Sequence, residues 1–249
     1  MNLKFSFLII CLSFFLSRNG NCQESQLLTK SGLVPELHGF LDKPDSPGTH
    51  PAVVILYGSA GWRPIYANIA KNLADSGFVA LALDYYACKE DSTGLAGDGS
   101  DWFRWQASVR SAVNFLMEDS STVKGSVGLL GYSLGAFLSV SIAASIPEVK
   151  AVVDYFGGGS SEKDELESQV RNFPPLLILH GEEDQSVPVS KAYELRDAVI
   201  AQGGEVEMKI YPGAQHGFNA PFLPNYSKEY DIDSFQRTVD FFKQHLKEQ

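Results

Sequence analysis

A serine framed by glycines, Gly131-Tyr-Ser133-Leu-Gly135, sits between an apolar run (Val127, Leu129, Leu130) and a helical pattern that opens at Leu134. The spacing has a steric reason. A serine on a tight strand-to-helix turn is held in a strained backbone. A side chain two residues to either side would collide with the neighbouring strand or helix. Such a turn lifts the Ser133 hydroxyl out of the sheet and sets it beside a helix N-terminus, where positive backbone potential supports a developing negative charge. The chemistry this prepares is nucleophilic attack on a carbonyl.

A serine hydroxyl needs a base to attack at neutral pH. The chain holds five histidines: His38, His50, His180, His216 and His245. His38 falls in an expected edge strand and His50 in a loop before the first core strand. His180 closes an apolar strand, and His245 belongs to the final helix. His216 alone lies in a loop just after the last strand, in Tyr211-Pro-Gly-Ala-Gln-His216-Gly-Phe. In an open α/β sheet, the C-terminal strand ends are where a ligand site forms. The base needs an acid to fix its tautomer and stabilise the imidazolium. Asp184, in the loop His180-Gly-Glu-Glu-Asp184, is the best placed, and Glu182 and Glu183 read as solvated or turn-forming. Asp154 also ends a strand and is the rival. For a tetrahedral oxyanion, the backbone N–H of Leu134 is one donor, and Ala60 or Ser59 in the loop after Tyr57 supplies a second.

These side chains need a frame that brings distant loops together. Ala52–Tyr57, Phe78–Leu83, Val127–Leu130, Lys150–Tyr155, Pro174–His180 and Val206–Tyr211 read as strands, several of them wholly apolar. A strand buried on both faces looks like this in a parallel sheet. Helices are expected over 65–76, 101–118 with Asp101 as N-cap, 134 to before Pro147, 162–171, 189–201 and 231–247. An edge strand is expected between Leu33 and Leu41. Strand and helix alternate, which means one mostly parallel α/β sheet covered on both faces. No repeat or linker divides it.

The chain resembles the dienelactone hydrolase family of the α/β-hydrolase superfamily over about residues 50–247. The matching pieces are Val54-Ile-Leu-Tyr-Gly58, Phe78 to Tyr85, Val127 to Ala136, Pro175 to Pro188 and Tyr211 to Phe218. The order Ser133, Asp184, His216 is the one such hydrolases use, and the resemblance implies that these three form a catalytic triad. It implies an α/β-hydrolase fold and ester or lactone hydrolysis without a cofactor. Two departures go together. The best-known members carry cysteine where Ser133 stands and a glutamate where this chain reads Gly58-Ser59-Ala60. A serine activated directly by His216 has no need of that glutamate, and the change implies a general ester or lactone substrate. Acyl transfer or thioester cleavage on the same triad is one rival, and a non-catalytic hydrolase-like binding protein is another.

Trp62, Tyr85, Tyr86, Trp102 and Phe218 are the aromatics expected to line an apolar pocket, with Arg63 and Arg104 nearby as cations. Asn225-Tyr-Ser227 is a glycosylation sequon. No metal-ligand spacing and no phosphate loop occurs, so no metal or cofactor is expected.

Net charge bounds the partners. It is −10, and residues 1–22 hold only Lys4 and Arg18 as charged groups, so the remainder is more acidic still. An acidic surface argues against nucleic acid or an anionic membrane and leaves a small molecule as the partner. Met1–Lys4 carries one positive charge, Phe5–Leu16 is apolar on every face, and a polar stretch follows. That is the layout of a secretory signal, too short to span a bilayer comfortably. The expectation is a signal over 1–22, a single domain over 23–249, and a secreted or periplasmic location. Cys22 offers an alternative lipid anchor. Cys88 is then the one cysteine of the mature body, so no disulfide framework exists.

Overall fold

The computed structural model describes residues 26–29, 37–86 and 100–246. The expected signal with Cys22, residues 33–36 of the expected edge strand and the loop 87–99 with Cys88 lie outside the described residues. Among the described residues, eight strands form one sheet: β1 Gln26–Thr29, β2 Leu37–Asp42, β3 His50–Leu56, β4 Val79–Leu83, β5 Thr122–Tyr132, β6 Val149–Tyr155, β7 Leu176–Gly181 and β8 Val206–Tyr211. Their spatial order is β1-β2-β4-β3-β5-β6-β7-β8. β2 runs antiparallel to both β1 and β4, and every later pair is parallel. This is the mostly parallel α/β sheet that the apolar runs imply.

Two layers of helix cover it. β3 shows how one strand serves both. Ala52, Val54 and Leu56 face one core with α2 (Ser100–Glu118), α3 (Leu134–Ile142) and α5 (Ser190–Ala201), through Val109, Leu116, Leu138 and Leu195. Val53 and Ile55 face the other core with α1 (Pro64–Asp75) and α6 (Lys228–His245), through Leu73, Val239 and Phe242. Side chains of a strand alternate faces, so a strand sandwiched between two helical layers must be apolar throughout. The short α4 (Lys163–Gln169) adds Leu166 to the first core.

Local sequence sets the ends. α1 starts at Pro64, whose missing N–H costs nothing there, and stops at Gly77. Gly77 has φ +103°, a conformation glycine adopts without steric cost, and Phe78 N–H then closes onto the Leu73 carbonyl at 3.0 Å. The Ser227 hydroxyl caps α6 by accepting from Tyr230 N–H. Glu229 and Asp231 sit in the first turn of α6, with Lys243 and His245 in its last, complementing the helix dipole. One expected cap is corrected. α2 begins at Ser100, which puts Asp101 inside the first turn, where its carboxylate pairs with Arg104.

Register decides what meets what. Leu56 pairs with Gly131, Gly131 with Asp154, Tyr132 with Tyr155, and Gly181 with Tyr211. Because β3, β5, β6, β7 and β8 are parallel, the loops that follow them all emerge at one edge.

Candidate active site

The turn at Ser133 is as tight as its glycines require. Ser133 has φ 52° and ψ −116°, a positive φ that non-glycine residues rarely adopt. A Cβ on Gly131 would lie 2.4 Å from Ala136 Cα, and one on Gly135 would lie 2.2 Å from the Leu56 carbonyl oxygen. Neither distance is possible, so β5 can pass into α3 at this angle only with glycine at both places. The Ser133 backbone is committed on both sides. Its N–H donates to the Tyr155 carbonyl at 2.9 Å, and its carbonyl accepts from Ala136 N–H at 2.9 Å. The strain is sustained by these bonds, and the half-buried side chain is left to project from the sheet edge.

His216, in the loop after β8, and Asp184, in the loop after β7, meet it there. His216 Nε2 lies 2.9 Å from Ser133 Oγ, and His216 Nδ1 lies 2.7 Å from Asp184 Oδ2. The Asp184 side chain is fully buried. Its other oxygen, Oδ1, accepts from the N–H groups of Ser186 and Val187, each at 2.9 Å. An ionised carboxylate can only accept, so Nδ1 must carry the proton, which leaves the Nε2 lone pair facing the serine hydroxyl.

His180 is the second histidine in this network. It is completely buried, its Nε2–H donates to the Val187 carbonyl at 2.9 Å, and the same nitrogen lies 3.5 Å from Asp184 Oδ2. Burial holds its pKa below the usual histidine value, which keeps it neutral. A neutral His180 closes the Asp184 loop without competing for the carboxylate as a cation.

Asp154, the rival acid, is placed elsewhere. It is wholly buried in β6, Oδ1 accepts from Gly157 N–H at 2.8 Å, and Oδ2 has no hydrogen-bond partner among the described residues. Desolvation pushes its pKa up to about 7, against the pull of the Gly157 and Gly158 amides.

The loop after β3 faces Ser133. A Cβ on Gly58 would be 3.3 Å from Ser133 Cβ, a tight contact, so glycine at this position lets the loop lie close against the serine. Gly58 N–H points to the Tyr66 hydroxyl at 3.4 Å, and Gly61 N–H donates to the Gly58 carbonyl at 3.0 Å. The two residues between them, Ser59 and Ala60, are exposed, and their amides make no hydrogen bond among the described residues. Leu134 N–H, at the first position of α3, has no intrahelical partner, as geometry demands there.

A model of the dienelactone hydrolase family matches residues 37–246. The chain belongs to that family. A relative from Yersinia pestis, provisionally named a carboxymethylenebutenolidase, is 26% identical over 232 residues, covering 84% of each chain. Among solved structures, a dienelactone hydrolase assigned in Klebsiella pneumoniae superposes with TM-score 0.73 at 22% identity, over 84% of this chain and 94% of the other. A thermophilic esterase from Thermogutta terrifontis, solved with butyrate bound, superposes with TM-score 0.65 at 18% identity, over 89% and 93%. The fold is therefore that of an α/β-hydrolase, and family membership makes the chain a hydrolase.

Within this hydrolase the expected pocket aromatics divide. Phe218 and Tyr85 are corrected to core residues. Phe218 is fully buried against Tyr211, Tyr155 and Phe156, beneath the His216 loop. Tyr85 stacks on Tyr57 at 4.3 Å and donates to the Tyr57 carbonyl at 2.6 Å. The ring of each is spent on packing, so neither presents a wall to a ligand. Trp62 and Trp102 are half-buried, Trp62 edge-on to Tyr57 and Trp102 edge-on to Trp105. Arg104 is engaged by Asp101, and the Arg63 guanidinium lies 5.2 Å from the centroid of the exposed Phe222 ring.

Two neighbours of His216 escape a reading of the sequence. Phe156, with φ 42°, sets its ring edge-on to the imidazole at 4.8 Å. Its place directly after β6, at the same edge as Ser133, is the signal that marks it. Asn225, half of the sequon, donates its amide to the His216 carbonyl. Among the described residues, Glu205, Glu207 and His245 have ligand atoms within 4.8 Å of one another. They lie at the start of β8 and the end of α6, away from the edge that carries Ser133. No described helix is long and apolar enough to cross a membrane.

Proposed function

We propose that the hydrolase cleaves small carboxylic esters or lactones through an acyl-enzyme on Ser133. The observation that carries this reading is the chain of short contacts from Ser133 Oγ through His216 to Asp184, 2.9 and 2.7 Å long. As Oγ bonds to the substrate carbonyl carbon, its proton passes to His216 Nε2. Asp184 holds the ring and stabilises the imidazolium that results. The negative charge moves onto the carbonyl oxygen, which the amides of Leu134 and of Ser59 or Ala60 are free to bind. Collapse of this intermediate breaks the ester C–O bond, and the imidazolium returns its proton to the leaving alkoxide. Water, deprotonated by His216, then attacks the acyl carbon and releases the acid. A lactone follows the same route, its alkoxide remaining tethered until the hydroxy acid departs.

The relative solved with butyrate makes short-chain acyl esters the first substrates to assay. A fluorophosphonate is expected to label Ser133 in the folded protein and to lose that reaction on heat denaturation. Ser133→Ala is expected to lower ester turnover by at least ~10³, the scale of triad knock-outs. Labelling elsewhere, or turnover persisting in that variant, would remove Ser133 from the mechanism.

We also propose that residues 1–22 form an export signal and that residues 23–249 act as one domain outside the cytoplasm. The charged start and the apolar block Phe5–Leu16 support this. N-terminal sequencing after expression with an export pathway checks it, and an intact Met1 on soluble cytoplasmic protein would sink it.

A further inference from the structure

His216 is held at three places, and two of them are the contacts of its ring with Ser133 and Asp184. The third is its own carbonyl oxygen, which accepts from Asn225 Nδ2. A carbonyl oxygen has no proton to give, so the carboxamide must present its nitrogen here, and its orientation is fixed. On the other side of the histidine, Glu183 N–H donates to the Ala214 carbonyl at 2.9 Å. The backbone of His216 is thus pinned two residues before the ring and again at the ring's own residue. The segment from His216 to Asn225 adds its own closures. Ala220 N–H bonds the Gly217 carbonyl and Leu223 N–H the Ala220 carbonyl, each at 2.9 Å, while Ser227 N–H bonds the Phe218 carbonyl at 2.7 Å.

The asymmetry between these ties matters. The Ser227 and Leu223 bonds shape the loop but do not touch His216. Asn225 alone among the described side chains bonds the backbone of the general base. We infer that Asn225 is a positioning residue for His216, an inference that rests on the triad reading above. Its half-buried amide is committed to a catalytic loop, so the sequon marks an anchor and not a free glycan acceptor. Without the anchor the imidazole keeps its contact with Asp184 but loses the constraint on where Nε2 falls. A displacement of ~1 Å at a reacting group costs up to ~10²-fold in rate.

The experiment compares Asn225→Ala, Asn225→Asp and Ser227→Ala in ester turnover, fluorophosphonate inactivation and urea unfolding. Ser227→Ala removes the α6 cap, lowers the unfolding midpoint and leaves kcat at the wild-type level. Both Asn225 variants are expected to lose ~10–100-fold in kcat, with KM changed by less than about threefold, because proton transfer and not substrate binding is disturbed. The inactivation rate at Ser133 falls by the same factor. Asn225→Asp keeps the size of the side chain but sets a carboxylate against the carbonyl, so it fails for lack of a donor. Wild-type kcat in either folded variant overturns the inference. So does a kcat loss that Ser227→Ala reproduces at equal loss of stability, or failure of both Asn225 variants to fold. Ser133→Ala run in parallel separates the two levels. If it still turns over ester, the triad reading itself has failed. If it is dead while the Asn225 variants keep wild-type kcat, only the positioning role has failed.

Discussion

Asp154 offers a test in which stability and catalysis should part company. The carboxyl is completely buried, one oxygen is bonded to Gly157 N–H and the other has no partner among the described residues. Its pKa stands at about 7 against a reference of 3.8. A folded-state pKa above the unfolded one means that the native protein binds the proton more tightly. Stability from this group is therefore fully present below about pH 4 and is lost as pH rises through the folded value. Roughly three pKa units at 1.36 kcal/mol each give a loss of about 4 kcal/mol, essentially complete just above pH 7. Asp154→Asn mimics the protonated acid in shape, keeps the acceptor for Gly157 and never ionises. Urea unfolding of wild type and Asp154→Asn should then show a difference that grows from about 2 kcal/mol at pH 5 to about 4 kcal/mol at pH 8, the variant being the more stable. Turnover should persist, because Asp184 and not Asp154 meets His216. A difference that stays constant with pH would refute the desolvation argument. Loss of ester turnover in folded Asp154→Asn would refute the assignment of the acid.

Two further outcomes follow from the same geometry. Asp184→Asn places an amide donor or a weaker acceptor against His216 Nδ1, releases the tautomer and is expected to lower kcat by ~10⁴ in a steady-state ester assay, with folding intact. Gly135→Ala drives a Cβ to within 2.2 Å of the Leu56 carbonyl oxygen and 2.6 Å of the Tyr57 carbonyl oxygen. Backbone must move, so the urea midpoint should fall by an amount equivalent to about 1–3 kcal/mol or more. Turnover should fall with it, since the same strand end carries Ser59 and Ala60.

Much of this frame is legible in the residues. Wholly apolar runs such as Ala52–Leu56 mark strands buried on both faces, and the bounds of β8, Val206–Tyr211, agree with the expected ones. Gly77 stops α1 where its sequence says it should. β1 is not legible, because Gln26–Thr29 is four residues without alternation and gains its state only by pairing with β2. Asp101 shows how a good capping residue is overruled when the helix starts one residue earlier. Phe218 and Tyr85 show the limit for aromatics. Type and position put them near the site, and packing against Tyr211 and Tyr57 takes them into the core.

Local order in the chain is enough to specify the glycine-framed turn at Ser133, the alternation that yields a parallel sheet, and a histidine placed after the last strand. Those depend on local sterics and on hydrophobic period, which a chain carries in its own residues. Which carboxylate reaches the histidine depends on the fold. Asp154 and Asp184 both follow apolar runs, and the sequence favours Asp184 while leaving Asp154 as a rival. Parallel register carries Asp184 beyond the end of β7, where its carboxylate reaches His216 Nδ1, and leaves Asp154 within β6, facing Gly157. Phe156 became a neighbour of the histidine for the same reason, while Asn225, nine residues further along the same loop, meets it because that loop folds back on itself. A contact between loops that are dozens of residues apart is set by how strands align, and that alignment exists only once the sheet has closed its core.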